Sequence, residues 1–194
     1  MQVLTPDNLM SLEQYAAKRN AFRAEVMAHK RDRTVAIGPH ATLYFEDRLT
    51  MQYQVQEMLR IERIFEREGI EEELAAYNPL IPDGSNWKAT FMIEYGDAEE
   101  RREALARMVG IESRAWVRVA GFDRVYAIAD EDLERATEDK TSSVHFLRFE
   151  LSPAMATAIK QGTPIAMGIE HGAYTHTVAA VPENVRRSLV GDLA

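Results

Sequence analysis

Apolar residues recur along this chain first with a helical period and then with an alternating one. Ser11, followed three residues later by Gln14, is a capping-box start. From it Leu12, Tyr15, Phe22 and Val26 form one apolar stripe on a helix that reaches about His29. Thr34–Ile37 and Thr42–Glu46 read as a hairpin around Gly38-Pro39-His40. The next periodic segment, Leu49 to Glu68, sets Met51, Val55, Met58, Leu59, Ile61 and Phe65 on one helical arc. Glu62 falls among those apolar positions. It reads either as a ligand or proton-handling group or as half of a salt bridge to another element. Tyr77-Asn78-Pro79-Leu80-Ile81-Pro82-Asp83-Gly84-Ser85-Asn86 is concentrated turn chemistry and marks a boundary. The sequence thus predicts a helical arm with a hairpin over residues 1–86 and a second part over residues 87–194.

Beyond the boundary the plan repeats. A strand Trp87–Tyr95 leads to a helix capped by Asp97 and stopped by Gly110, then strands near Arg114–Ala120 and Phe122–Ala129. Asp130-Glu131-Asp132-Leu133 reads as the start of a short acidic helix. The second unit has a strand Val144–Leu151, then a helix with Ser152 as cap, Pro153 at its first position and Gly162 past its end. Strands near Ile165–Ile169 and Tyr174–Val181 follow, and a helix starts at Pro182. Both units, 87–138 and 143–190, read β-α-β-β-α. Ile93-Glu94-Tyr95 matches Phe149-Glu150-Leu151 at an offset of 56, and Gly110 matches Gly162 at an offset of 52. The difference is about one helical turn, so the buried face of the capped helix keeps its phase. The predicted class is α+β: an arm, then a duplicated unit forming a curled antiparallel sheet or barrel. In this topology it resembles the effector-binding and SOUL-type haem-binding barrels and, more distantly, the vicinal-oxygen-chelate enzymes.

Alternation on the two matched strands carries the candidate chemistry. Trp87, Ala89, Phe91, Ile93 and Tyr95 share one face; Lys88, Thr90, Met92 and Glu94 take the other. On the second strand His145, Leu147, Phe149 and Leu151 oppose Val144, Phe146, Arg148 and Glu150. Glu94 and Glu150 hold equivalent places, so strands meeting at a pseudo-dyad would set two carboxylates around one cavity with Lys88 and Arg148. Two adjacent carboxylates push their pKa values apart, which suits acid–base work. The plainer reading pairs each with a basic residue on a solvated sheet face. Asn86 and Trp87, delivered by the proline-pinned loop, would form the rim of such a pocket. His145, His171 and His176, with Glu62, are the metal-ligand candidates, though no HExxH, His-x-His or Glu-x-x-His spacing occurs.

Composition narrows the classes further. Across 194 residues, 23 Lys and Arg stand against 31 Asp and Glu, a net charge of −8, which argues against a nucleic-acid binder. The basic run Lys18, Arg19, Arg23, Lys30, Arg31 and Arg33 reads as a solvated helix face. No cysteine occurs, so disulfides, thiolate catalysis and cysteine-ligated clusters are excluded in this chain. No GxSxG, GxxxxGK or GxGxxG occurs. The first residues carry neither a basic nor an apolar leader, and no apolar run approaches a membrane span; the expectation is a cytoplasmic protein.

Several longer stretches resemble one bacterial family of unknown function. They are His29-Lys30-Arg31, Val35-Ala36-Ile37-Gly38-Pro39-His40, Phe45-Glu46-Asp47 and Tyr53-Gln54-Val55-Gln56-Glu57-Met58-Leu59-Arg60. Further on come Ala76 through Gly84, Asn86-Trp87-Lys88-Ala89-Thr90, Ile93-Glu94-Tyr95 and Val144 through Leu151. The resemblance implies a setting: members tend to be encoded near a rubrerythrin-like protein and an iron–sulfur protein resembling heterodisulfide reductase. It therefore implies a role in peroxide or iron redox defence and a partner of that kind. Three expectations follow. The first is an accessory protein that binds a small molecule or a divalent metal. The second is a metal-assisted or acid–base enzyme using Glu94 and Glu150. The third is a structural subunit that forms a homodimer through its arm.

Overall fold

A computed structural model describes residues 3–194; Met1 and Gln2, where the predicted arm begins, lie outside the described residues. Ser11 caps as its spacing predicts: its Oγ accepts from the Gln14 N–H at 3.2 Å, and Gln14 Oε1 accepts from the Ser11 N–H at 3.1 Å. The helix so started is α1, Leu12–Arg31. After the hairpin of β1 (Thr34–Ala36) and β2 (Ala41–Glu46), Asp47 caps α2, Arg48–Glu62, exchanging bonds with Thr50 at 2.9 Å each way. Glu57 pins α2 to α1. It accepts from the Tyr15 hydroxyl at 2.6 Å and from Arg19 at 2.7 and 2.9 Å, and the Arg19 hydrogen bonds hold its carboxyl down at about 2.

The segment predicted as one helix to Glu68 is two. Arg63 adopts the left-handed conformation (φ 57°) and ends α2, and α3 runs Arg67–Tyr77. A non-glycine residue performs this C-cap, so the sequence carried no glycine signal for it. Met51, Val55 and Leu59 are buried as the arc requires, but Ile61 and Phe65, beyond or at the break, are 61% and 70% exposed. Glu62 is exposed at the helix end rather than set among apolar neighbours.

The remaining elements are β3 (Asn86–Ile93), α4 (Ala98–Arg107), β4 (Ala115–Val119), β5 (Val125–Tyr126), β6 (Ile128–Ala129) and β7 (Val144–Glu150). They are followed by α5 (Pro153–Lys160), β8 (Ile165–His171), β9 (Tyr174–Val178) and α6 (Glu183–Val190). The strands form two antiparallel sheets, ordered β1-β2-β3-β7-β6 and β5-β4-β8-β9. Each predicted unit thus places its first strand in one sheet and its second strand in the other, where β3 meets β7 and β4 meets β8. Neither sheet closes into a barrel among the described residues. The predicted strand Phe122–Ala129 divides at Ala127, pairing with the second sheet before it and the first sheet after it. Asp130 to Leu133 is not helical: Asp130 itself takes a left-handed backbone (φ 50°), which an α-helix cannot accommodate.

One apolar core fills the space between the sheets. Phe45, Trp87, Phe91 and Phe149 from the first sheet meet Val117, Ile165, Met167 and Ile169 from the second, and Ala104, Ile159 and Leu189 close the sides. A separate cluster of Leu4, Met51, Val55, Leu59, Leu74 and Ile81 holds the helical arm together. Tyr174 fastens the hairpin loop to the second sheet. Its hydroxyl donates to Ile37 O at 2.7 Å and accepts from the His40 N–H at 3.0 Å. The His176 ring packs so closely on Gly38 (φ 74°) that a side chain there would collide with it. No helix among the described residues is long and apolar enough to cross a membrane.

Candidate functional site

The first sheet has two unlike faces. Trp87, Ala89, Phe91 and Ile93 on β3, with His145, Leu147 and Phe149 on β7, face the core and are buried. Lys88, Thr90, Met92, Val144, Phe146 and Arg148 face the other way and are only half-buried. Over part of that outer face the arm stands off the sheet. Met27, Lys30 and Arg31 of α1, Met51 and Gln54 of α2, and Tyr77 and Leu80 form the opposite walls of a cleft of about 830 Å³. That size lies within the usual range of small-molecule sites. A smaller cavity of about 260 Å³ adjoins it past Leu80 and Phe146, lined by Lys88, Glu131, Asp132 and Arg148.

Glu46, at the end of β2, is the polar group that sets this cleft apart. It points to the outer face, diagonal to Thr90, whose hydroxyl donates to Oε1 at 2.8 Å. Only 5% of Glu46 is exposed, yet its Oε2 has no hydrogen-bond partner; it is the one buried side-chain oxygen or nitrogen so left among the described residues. Lys88 stands directly opposite Glu46 in register but donates instead to Pro79 O at 2.5 Å. Burial foremost lowers the Lys88 pKa, against the pull of Asp83.

The other buried polar groups are matched. Arg33, predicted on a solvated face, is 2% exposed at the seam of α1, β2 and α6. It donates to Phe45 O at 3.0 Å, Glu46 O at 3.1 Å and Asp192 Oδ2 at 2.5 Å, with Asp47 3.5 Å away and His29 2.5 Å beyond on Asp47. Burial pushes Asp192 up to about 6, with Arg33 pulling against it. Burial also acts to raise Asp47, but Arg33, the Thr50 N–H and His29 together hold it below the ordinary range. Inside the core, His145 is fully buried: Nδ1 meets Asp130 Oδ2 at 2.6 Å, and Nε2 meets Thr141 Oγ1 at 2.8 Å and Ser142 O at 3.1 Å.

The residues predicted to share one site are dispersed. Glu94 and Glu150 do point to the same face, but β3 and β7 run antiparallel and cross where Thr90 meets Phe146. Each glutamate lies four residues from that crossing in opposite directions, about 26 Å apart along the sheet. Glu94 accepts from the Thr42 hydroxyl at 3.0 Å and is exposed. Glu150 is exposed at the other end, bonded to Ser85 at 2.7 Å, to Asn86 at 3.3 Å and to Arg148. Arg148 also grips Glu131 with two bonds of 2.8 Å. Trp87 is core, its Nε1 donating to Leu189 O at 3.0 Å. Of the six predicted ligand-binding residues, Lys88 and Arg148 alone come together at a cavity, the smaller one. The metal candidates are apart as well: His171 turns to Val109 O at 3.1 Å, His176 packs on Gly38, and His145 is enclosed. Among the described residues no group of three or more His, Asp or Glu is placed to hold a metal ion. Sequence reasoning missed Glu46. The available signal was a carboxylate ending an alternating strand on the same side as Thr42 and Tyr44.

The outline of this molecule is found elsewhere. A novel protein of unknown function from Burkholderia pseudomallei K96243, seen in a 1.90 Å crystal structure, is 53% identical; the match covers 100% of both chains with a TM-score of 0.95. Comparison with curated proteins gives no match. A family model described as "Protein of unknown function (DUF3501)" matches residues 3–193. Matched over nearly its whole length, the chain belongs to the DUF3501 family.

Proposed function

We propose that this protein binds a small molecule in the cleft between the helical arm and the outer face of the first sheet. The observation that carries the reading is the pairing of a roughly 830 Å³, largely apolar cleft with a nine-tenths-buried carboxylate in its wall. Protein interiors close such gaps, because each unfilled contact forfeits dispersion energy. A half-buried sheet face kept open by its own covering helices therefore suits an occupant. Met27, Met51 and Met92 supply soft, adaptable walls, and Tyr77 and Phe146 supply aromatic ones, so a flat or branched apolar body fits.

The test is saturable binding of the neutral apolar fluorophore Nile red, followed by its emission. Met92→Trp fills the middle of the cleft from an exposed-face position and leaves the core between the sheets untouched. One-to-one binding to the wild type, weakened at least tenfold in a folded Met92→Trp variant, supports the reading. Equal binding by both proteins overturns it.

A further inference from the structure

Resting on that cleft, we infer that its ligand is an anion with an apolar body, a carboxylate held at the sheet edge by Lys30 and Arg31. Both residues line the cleft from the last turn of α1. Lys30 is half-buried, and neither side chain joins an ion pair among the described residues. Their basic neighbours in the chain are committed: His29 meets Asp47 at 2.5 Å, and Arg33 meets Asp192 at 2.5 Å. Cations in a last turn also complement the helix dipole, but that role needs no cleft. Glu46 is the acidic residue in the lining, and it offers the cleft no free oxygen: Oε1 accepts from Thr90 and Oε2 is fully buried. Lys30 and Arg31 against Glu46 leave the lining net positive. In the adjoining smaller cavity Arg148 and Glu131 neutralise each other, Arg135 holds Asp132, and Lys88 donates to Pro79 O.

Strand register sets where the apolar body lies. Thr34, Tyr44, Thr90 and Phe146 stand level on β1, β2, β3 and β7, a row about 14 Å wide at ordinary strand spacing. Thr34 starts this row at the sheet edge, and its hydroxyl donates to Lys30 O at 2.8 Å, which ties the cationic turn to that end. A carboxylate at the edge takes charge-assisted bonds from Lys30 and Arg31, whereas an ammonium would face like charge there. The body then crosses Tyr44 and Phe146 beneath Met51 and Leu80.

Three probes share an indole body and differ in the head: indole-3-propionate, tryptophol and tryptamine. Isothermal titration of the full chain is expected to give indole-3-propionate at least fivefold tighter than tryptophol, with tryptamine weakest. The double variant Lys30→Gln/Arg31→Gln is expected to remove the acid's advantage while leaving tryptophol binding within about twofold. Lys18→Gln/Arg23→Gln deletes the same charge from exposed positions of α1 outside the cleft lining and should keep that advantage. Melting temperatures check the folding of each variant, and the single variants Lys30→Gln and Arg31→Gln should each lose part of the effect. If the acid is bound no tighter than the alcohol while Nile red responds to Met92→Trp, the anion inference is overturned and the cleft reading stands. An acid preference that survives Lys30→Gln/Arg31→Gln, or that both double variants abolish alike, overturns the inference as well. If Nile red ignores Met92→Trp, the cleft reading falls and this inference falls with it.

Discussion

The two faces of the first sheet solve the burial of polar atoms differently. On the inner face a whole imidazole, His145, is enclosed among Phe91 and Leu147, yet both ring nitrogens have partners supplied by Asp130, Thr141 and Ser142. On the outer face one carboxylate oxygen of Glu46 has none, although the residue lines the cleft. Burial alone does not distinguish structure from site, since both groups are buried. Satisfaction does: a matched polar group in a filled core stabilises one packing, and an unmatched one in a cleft wall adds no such anchor.

The comparison breaks first at its apolar residues. Trp87→Ala removes the largest inner-face side chain and its bond to Leu189 O, and should cost about 3–5 kcal/mol in urea unfolding. Met92→Ala on the outer face, where the cleft already thins the packing, should cost under about 1 kcal/mol. Equal losses would mean that both faces are core. At the seam of α1, β2 and α6, Asp192 offers a pH test. Its folded pKa, about 6, lies above that of an unfolded aspartate, so the native state binds the proton more tightly. The contribution of Asp192 is therefore greatest at low pH and shrinks as pH rises from about 4 to about 6, by up to about 3 kcal/mol. The stability of the wild type minus that of Asp192→Asn should fall through that window and level off above it. A flat difference would show that Arg33 keeps the carboxylate ionised throughout. A last pair of variants sharpens the rule itself. His145→Leu strands Asp130 and Thr141 and should cost about 1–3 kcal/mol, whereas Glu46→Gln, which removes a charge with an unmet oxygen, should be neutral or stabilising within about 0.5 kcal/mol. A Glu46→Gln loss as large as that of His145→Leu would remove the distinction between the two groups.

How far the site was legible follows from what each signal measures. Alternation along β3 and β7 is set by the two-residue period of any strand, so the outer face bearing Lys88, Thr90, Met92, Phe146 and Arg148 could be read from the chain. The same alternation says nothing about which positions on two strands sit level. Alternation alone therefore sets Glu94 and Glu150 around one cavity, whereas the antiparallel register carries them to opposite ends. Glu46 went unread because its importance lies in what is missing around it, a property of the packed arm and not of its neighbours in sequence. The break at Arg63 is similar: a left-handed cap without glycine leaves the periodicity of α2 and α3 looking continuous.

By itself the sequence determined the local elements with strong signals. These include the caps at Ser11, Asp97 and Ser152, the α+β class, and the exclusion of thiol chemistry by the lack of cysteine. Only the tertiary structure decided that the strands form two open sheets, that Arg33 is a buried hub and not a surface charge, and that the arm stands off the sheet over Glu46. The division has one cause. Caps and periodicities are satisfied by atoms a few residues away, whereas registers, buried ion pairs and clefts depend on partners such as Asp192, 159 residues from Arg33, that only the folded chain brings within reach.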